Sequence, residues 1–290
     1  MSKDETTLRA ESPFDIGPEA IAHYVRINGL DELIGEPGSS RPPGLYESVD
    51  PDVTTPMPPQ WPDLVRLHQL MRSRKVTTAL ELGVGKSTLV IAHALSLNSR
   101  DYGSFVSRNL RRANPFELHS VDDIVEYIDV TRDELPISLR KHVTFHHSAC
   151  QMASFGGRVC TFYEAFPNVC PDFIYVDGPS QFAVEGDVRG LSTRHPDRLP
   201  MSGDLLAIEH FLLPGTMILL DGRTANARFL RANFQRDWSY QHYPEADVHT
   251  FQLTEPPLGR HNRKQIEFCL GASWLVEFGT DEGRGGNRLP

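Results

Sequence analysis

Short apolar runs alternate with amphipathic helical patterns through the middle of the chain. Five of these runs end in polar residues and predict strands, at 76–82, 117–123, 142–149, 171–179 and 215–223. Strands that alternate with helices are typical of a parallel sheet with helices on both faces. Residues 247–257 and 263–271 predict two last strands, joined by a turn around Gly259. We therefore predict an α/β fold: a doubly wound, mostly parallel, seven-stranded sheet with a C-terminal antiparallel strand hairpin.

The two ends of the chain carry much weaker patterns. Residues 13–35 predict one or two short helices, and residues 36–60 are rich in proline, glycine and serine. Such a composition buries little core, so residues 1–60 are expected to form an irregular extension that covers the domain as a lid. The catalytic domain is predicted to span residues 61–274, and residues 275–290 a flexible tail.

The charge and composition of the chain indicate which classes of binding partner are disfavoured. The formal net charge is −9 and the isoelectric point is near 5.7, which disfavours a general nucleic-acid-binding or membrane-binding surface. No apolar run approaches the length of a membrane span, and the polar N-terminus resembles no secretion signal, so we expect a cytoplasmic protein. The four cysteines lack metal-site spacing and are expected to be free thiols. A homo-oligomer is compatible with these features.

The segment 79–95, ALELGVGKSTLVIAHAL, predicts a buried strand, a glycine turn and a helix. Its letters GVGKST resemble the end of a phosphate-binding loop. That motif requires another glycine five residues before its final glycine, and Leu80 occupies that position. Lys86 is therefore interpreted as an ordinary lysine at the start of a helix. Ser87 or Thr88 is expected to cap that helix.

Every predicted strand of the parallel set ends in polar residues. The ends are Glu81-Leu82-Gly83, Asp122-Asp123, His146-His147-Ser148, Asp177-Gly178-Pro179 and Asp221-Gly222-Arg223. Ligands of open α/β sheets bind at the carboxyl ends of the strands. These five ends therefore predict one ligand site.

Taken together, these motifs over residues 61–270 resemble class I S-adenosylmethionine-dependent methyltransferases. The resemblance is strongest to the subgroup with G-x-G-x-S-T after the first strand and Asp-Gly-Pro after the fourth. The stretch 161–179 is the most specific match and is read as a short helix, a proline turn and strand four. The resemblance implies S-adenosylmethionine as cofactor.

The resemblance also implies a role for each cofactor-binding residue. Gly83 and Gly85 would approach the methionyl part, with Glu81, Ser87 and Thr88 beside them. Asp122, or its neighbour Asp123, would accept hydrogen bonds from the ribose, unless it caps a helix instead. Ser148 would contact adenine or cap the next turn, and Asp177 would contact cofactor or substrate. The long spacing from Gly83 to Asp122 predicts an insertion at 98–116, with the basic cluster 108–112, that reaches over the site.

Asp177 and Asp221 suggest a metal-assisted mechanism. Two carboxylates at adjacent strand ends can bind Mg²⁺, which would lower the pKa of a substrate hydroxyl. Catechol-type O-methyltransferases have an Asp-Asn pair on the later strand, whereas this chain has Asp221-Gly222, so Asn226 or a histidine would complete the site. Alternatively, Asp221 caps the next helix. Without a metal, Asp177 would contact cofactor or substrate directly, and a histidine, His210, His146 or His147, would act as the base.

The leading functional prediction is O-methylation of a small molecule or saccharide. One alternative is an NAD-dependent oxidoreductase on a Rossmann-like fold, which Thr88 disfavours because it occupies the place of the third fingerprint glycine. The other is a methyltransferase-like subunit that binds without catalysing a reaction.

Overall fold

The computed structural model describes residues 17–35 and 59–279. Seven strands form the main sheet: β1 Thr78–Leu82, β2 Glu117–Asp122, β3 Val143–His147, β6 Phe173–Val176, β7 Met217–Asp221, β8 Trp238–Tyr243 and β9 Val248–Leu253. Two more, β4 Cys150–Phe155 and β5 Arg158–Tyr163, form a separate antiparallel hairpin. The order in the sheet is β3-β2-β1-β6-β7-β9-β8, with the first five strands parallel and the last two antiparallel.

Helices cover both faces of this sheet. The helices of the described residues are α1 Pro18–Asn28, α2 Leu30–Ile34, α3 Trp61–Ser73, α4 Lys86–Asn109, α5 Val125–Glu134, α6 Asp204–Ile208, α7 Thr224–Asn233, α8 Gly259–Leu270 and α9 Ala272–Phe278. On one face Leu67 and Ile91, from α3 and α4, pack against the sheet. On the other face Leu205 and Leu230, from α6 and α7, pack against it. Central strands buried on both faces explain the continuous apolar runs of the sequence.

The C-terminal hairpin is present, and one of its two predicted strands was wrong. Strand β9 lies within the predicted 247–257, but its partner is β8, and residues 263–271 belong to helix α8 and its end. In α8 Gln265 and Ile266 are both buried while Arg263 and Lys264 are exposed, which is a helical pattern. Strand β8 is half-exposed at the sheet edge, and its weak alternation predicted no strand.

The β4–β5 hairpin was not predicted, and the expected short helix at the start of 161–179 is wrong. Residues 161–163 end strand β5 and an irregular segment leads to β6. The hairpin follows the end of β3 directly. It also forms isolated bridges with the segment after β6, from Gln151 to Glu185 and from Thr161 to Ser202. These two segments lie next to each other beyond the carboxyl ends of the parallel strands.

The predicted insertion 98–116 does not reach over that edge. Residues 98–109 continue α4, which starts beside the end of β1 and runs back along the sheet. The Arg112 guanidinium donates to the Cys170 carbonyl oxygen at 2.9 Å, and Phe116 N donates to the Thr77 carbonyl oxygen at 2.5 Å. Cys170 and Thr77 precede β6 and β1, so the segment ends at the amino edge of the sheet. The long spacing in the sequence is therefore a long helix.

The terminal segments agree in part with expectation. Helices α1 and α2 lie within the predicted 13–35, and Ile21, Val25 and Leu30 pack on Trp61 and Val65 of α3. Most of the segment proposed as a lid lies outside the described residues. Residues 275–278 belong to helix α9 rather than to a tail. All four cysteines are free thiols, as predicted. Within the described ranges no helix combines the length and apolar character of a membrane span.

Candidate functional site

Hydrogen bonds to the Glu81 side chain stabilise the turn between β1 and α4. Its buried carboxylate accepts hydrogen bonds from the hydroxyls of Ser87, Thr88 and Ser120, at 2.6, 2.7 and 2.6 Å. Burial raises the pKa of Glu81 to about 7, and the three hydroxyl donors act in the opposite direction. These contacts join β1, the first turn of α4 and β2. The side chains of Glu81, Ser87 and Thr88 thus bind one another, and the backbone of the turn is left to face a ligand.

The two glycines of the turn have different surroundings. Gly83 has φ +96°, and a Cβ there would lie 2.6 Å from the backbone nitrogen of Gly178. A Cβ on Gly178 would lie 2.5 Å from the backbone nitrogen of Gly83. The ends of β1 and β6 therefore approach too closely for any side chain. A Cβ on Gly85, by contrast, would meet no atom within 4 Å, so Gly85 borders open space.

Lys86 points away from this turn. Its ammonium group donates to the Glu134 carboxylate of α5 at 2.7 Å. The lysine of a phosphate-binding loop instead contacts the phosphates of its nucleotide. The position of Lys86 agrees with its interpretation as a helix-start residue.

Asp122 and Asp123, at the end of β2, have different environments. The Asp122 carboxylate accepts from the backbone N–H groups of Val84 and Ile124, at 2.7 and 2.8 Å, and so holds the glycine turn. Burial raises the pKa of Asp122 to about 7. Asp123 Oδ1 accepts from Ser180 N at 3.4 Å, while its Oδ2 is buried without a hydrogen-bond partner. An unpaired buried acceptor is costly, so Asp123 Oδ2 is suited to a ligand donor.

Asp177, at the end of β6, lies beneath Arg223. The Arg223 guanidinium donates to Asp177 Oδ1 at 3.4 Å, to the Asp177 carbonyl oxygen, and to the Pro179 carbonyl oxygen at 3.2 Å. The Asp177 side chain keeps 56% of its surface exposed. Arg223 follows β7 directly, so one side chain connects two strand ends and leaves the Asp177 carboxylate accessible.

Asp221, at the end of β7, faces other acidic groups. Its carboxylate accepts from the Tyr175 hydroxyl at 3.3 Å. Burial, with the charges of Asp63 and Asp177, raises the pKa of Asp221 to about 8. Asp63, on α3, pairs with Arg66 at 2.8 Å. Asp177 and Asp221 thus lie at adjacent strand ends as predicted, each with its own protein partner.

The predicted histidines and Ser148 do not all lie at the carboxyl edge of the sheet. His147 ends β3 at the carboxyl edge and is exposed, whereas the ring of His146 bonds His119 at 3.0 Å. The Ser148 hydroxyl accepts from Ala165 N at 2.8 Å. His210 lies between α6 and β7, next to Glu209, which accepts from Arg236 N just before β8. That is the amino edge, so the structure corrects the expectation that His210 is the base.

Of two further buried polar groups, one was not predicted from the sequence and the other was. The Tyr163 hydroxyl, at the end of β5, has no hydrogen-bond partner, and burial with the charge of Asp123 raises its pKa. The side-chain amide of Asn226, on the first turn of α7, is buried with both polar atoms unpartnered. Asn226 was named only as a substitute metal ligand. Nothing in the local pattern distinguishes Tyr163 from a core tyrosine, because its position depends on the unpredicted hairpin.

The fold is a Rossmann-like methyltransferase fold. Five parallel strands are followed by an antiparallel pair, and the glycine turn follows the central strand β1. The same sheet arrangement is expected of class I methyltransferases.

Comparisons with solved structures found proteins of similar fold. The chain is similar in fold to an O-methyltransferase from Bacillus cereus in complex with SAH, at 12% identity and a TM-score of 0.37, covering 82% of this chain and 92% of that one. It is also similar to the O-methyltransferase TomG from Streptomyces achromogenes in complex with SAM, at 14% identity and a TM-score of 0.35, covering 81% of this chain and 87% of that one. A third similar structure is an SAH-bound methyltransferase from Podospora anserina, at 13% identity and a TM-score of 0.38, covering 82% of this chain and 89% of that one. The sequence matches no protein-family profile and no curated protein.

Proposed function

We propose that this protein transfers a methyl group from S-adenosylmethionine to a hydroxyl oxygen of a small molecule or saccharide. The observation that carries the proposal is the pairing of two features at the carboxyl edge. Gly85 borders open space at the end of β1, and the neighbouring strand end presents a buried acceptor without a partner, Asp123 Oδ2. The first suits close approach of a ligand to the backbone, and the second suits a ligand hydroxyl.

The residues present fit the cofactor. The turn from Gly83 to Gly85 would lie against its methionyl part, held in place by Glu81, Ser87 and Thr88. Asp122 and Asp123 would accept from the ribose hydroxyls, because a carboxylate retains acceptor sites after one or two hydrogen bonds. Ser148, after β3, would lie beside the adenine. When bound, S-adenosylmethionine supplies an activated methyl group, and the protein aligns and desolvates the reactants.

Asp177 is proposed as the group that accepts the proton of the substrate hydroxyl. Its carboxylate is exposed at the edge that faces the open space. Desolvation raises the pKa of Asp177, and the Arg223 guanidinium acts in the opposite direction. Arg223 also bonds to the carbonyl oxygens of Asp177 and Pro179, which limits the movement of the carboxylate. A positioned base of this kind contributes about 10²- to 10⁴-fold to the rate.

A metal-assisted variant is supported by one further observation. Asp177 and Asp221 end adjacent strands, and the buried Asn226 amide begins the next helix with its oxygen unpartnered. Carboxylate and amide oxygens are ligands of Mg²⁺. In this variant the ion would bind Asp177 and Asp221 and lower the pKa of the substrate hydroxyl.

The oxidoreductase alternative is less well supported. The third glycine of a dinucleotide fingerprint allows close packing of helix and strand. Thr88 occupies that position, and its hydroxyl bonds Glu81. A binding subunit without catalysis differs from the main proposal only in turnover, so activity decides between them.

The proposal is tested by following formation of S-adenosylhomocysteine with a panel of phenols, catechols and saccharides. Turnover is expected with at least one of them, and Asp177→Asn should lower it about 100-fold or more. Asp133→Asn, at an exposed aspartate near the end of α5, is the matched control and should retain wild-type turnover. Loss of turnover in EDTA with recovery in Mg²⁺ would select the metal-assisted variant. Binding of S-adenosylhomocysteine with no turnover on any acceptor would contradict catalysis.

A further inference from the structure

A group of metal-ligating side chains lies on the β8–β9 hairpin, outside the residues proposed for methyl transfer. His242, Asp247 and His249 each offer a ligand atom, and these atoms all lie within 4.8 Å of one another. Among residues 17–35 and 59–279, no other three side chains of His, Cys, Asp or Glu meet this condition.

The strands bring the two histidines together. His242 and His249 are directly opposite in the antiparallel register of β8 and β9, where side chains on one face are neighbours. Their rings are stacked, with centroids 4.1 Å apart and an interplanar angle of 11°. His242 is exposed, so its ring can rotate, whereas His249 is fully buried.

The buried ring is oriented by two hydroxyl groups. His249 Nδ1 is 2.9 Å from the Tyr240 hydroxyl, and Nε2 is 2.9 Å from the Thr224 hydroxyl. Metal-ligating imidazoles characteristically bond a second group through the nitrogen that does not bind the metal.

The carboxylate is held beside the histidines by its backbone. Asp247 has a left-handed conformation, φ 48° and ψ 39°, just before β9. Its carbonyl oxygen accepts from Gly222 N at 2.8 Å, which anchors it to the end of β7. The Asp247 side chain remains exposed. A non-glycine residue in this conformation is uncommon, and here it presents a carboxylate to the two imidazoles.

We propose that His242, Asp247 and His249 bind one Zn²⁺ ion. Two imidazoles and one carboxylate form a ligand set that Zn²⁺ adopts with a water molecule in the fourth position. At zinc–ligand distances of about 2.1 Å, tetrahedral ligand atoms lie about 3.4 Å apart. The ligand atoms of His242 and Asp247 reach this separation when their exposed side chains rotate toward His249. One ring nitrogen of His249 then binds the ion in place of its hydroxyl partner.

The test is calorimetric titration of Zn²⁺ into the EDTA-treated full-length protein. The wild type is expected to bind one ion, and His242→Ala and Asp247→Asn should each weaken binding about 100-fold or more, since loss of even an outer-shell partner costs about 10- to 100-fold. Both side chains are exposed, so these variants should fold normally, which circular dichroism would check. His249 is left unchanged because its ring is buried.

His146→Ala is the matched control, because His146 also stacks on a histidine, His119, at 5.3 Å, but belongs to no group of three. It should bind Zn²⁺ like the wild type. The proposal is overturned if the wild type does not bind Zn²⁺, if neither hairpin variant weakens binding, or if His146→Ala abolishes it. Asp177→Asn should bind Zn²⁺ normally, so this result is independent of the proposed methyl transfer.

Discussion

At the scale of single residues, contact between two backbones accounts for part of the glycine motif. Gly83 and Gly178 end adjacent strands, and neither position has room for a methyl group. Gly85 instead borders open space and has an extended conformation, with φ 176°, that any residue adopts. Two glycines of one motif therefore have different physical causes, which the letters of the sequence cannot separate.

This difference predicts opposite behaviour of two alanine variants. Gly83→Ala should lower the free energy of unfolding by about 1–3 kcal/mol or more, because its Cβ meets rigid backbone and its φ is positive. Gly85→Ala should change stability by less than about 0.5 kcal/mol. Urea unfolding of both variants measures the two values. Equal destabilisation by the two substitutions would show that the assigned packing is incorrect.

At the scale of elements, a chain of buried hydrogen bonds attaches helix α1 to the domain. The Tyr24 hydroxyl is 2.8 Å from His68 Nδ1, and His68 Nε2 is 3.1 Å from His93 Nδ1. His68 is fully buried, and burial lowers its pKa to about 3. The chain joins α1, α3 and α4 through neutral imidazoles.

Removal of the first hydroxyl should loosen this attachment. Tyr24→Phe leaves a buried nitrogen of His68 without a partner, which costs about 1–3 kcal/mol. Hydrogen exchange followed by mass spectrometry should show faster exchange in α1 and little change in the central strands. Tyr102→Phe is a suitable control, because Tyr102 contacts Phe268 through its ring. Unchanged exchange in α1 would argue against the attachment.

The elements also show how far sequence reasoning extends. All five parallel strands were predicted, because burial on both faces produces long apolar runs that end in polar residues. The same reasoning located Asp122, Asp177 and Asp221 at one edge. It failed where position depends on tertiary contacts: β8 is a half-exposed edge strand, Ile266 fits a helix as well as a strand, and Tyr163 depends on the β4–β5 hairpin.

At the scale of the whole molecule, buried titratable groups predict the dependence of stability on pH. Burial raises the pKa of several carboxyls above the unfolded values near 4: Asp204 to about 6, Glu81 and Asp122 to about 7, and Asp221 to about 8. Between about pH 4 and their folded pKa values, these groups hold more protons in the folded state than in the unfolded state. Stability should therefore fall as pH rises through their folded pKa values.

Buried histidines lower the stability of the folded state at acid pH. The pKa of His68 is lowered to about 3 and that of His249 to about 4, so the unfolded state binds more protons below about pH 6.5. Urea unfolding at a series of pH values should give a maximum on the acid side of neutrality, at about pH 4–5, because above it the four carboxyls with raised pKa outweigh the two histidines with lowered pKa. Asp221→Asn should flatten the alkaline side, since it removes the group with the most strongly raised carboxyl pKa. A stability that rises steadily to pH 9 would contradict these assignments.

The central claim, that the carboxyl edge binds S-adenosylmethionine, is tested most directly by calorimetric titration with S-adenosylhomocysteine, NAD and ATP. We expect the protein to bind S-adenosylhomocysteine alone. Gly85→Val, whose side chain fills the open space at the turn, should weaken that binding about tenfold or more while the fold is retained. Absence of S-adenosylhomocysteine binding, or ATP binding that is lost in Lys86→Ala, would contradict the account.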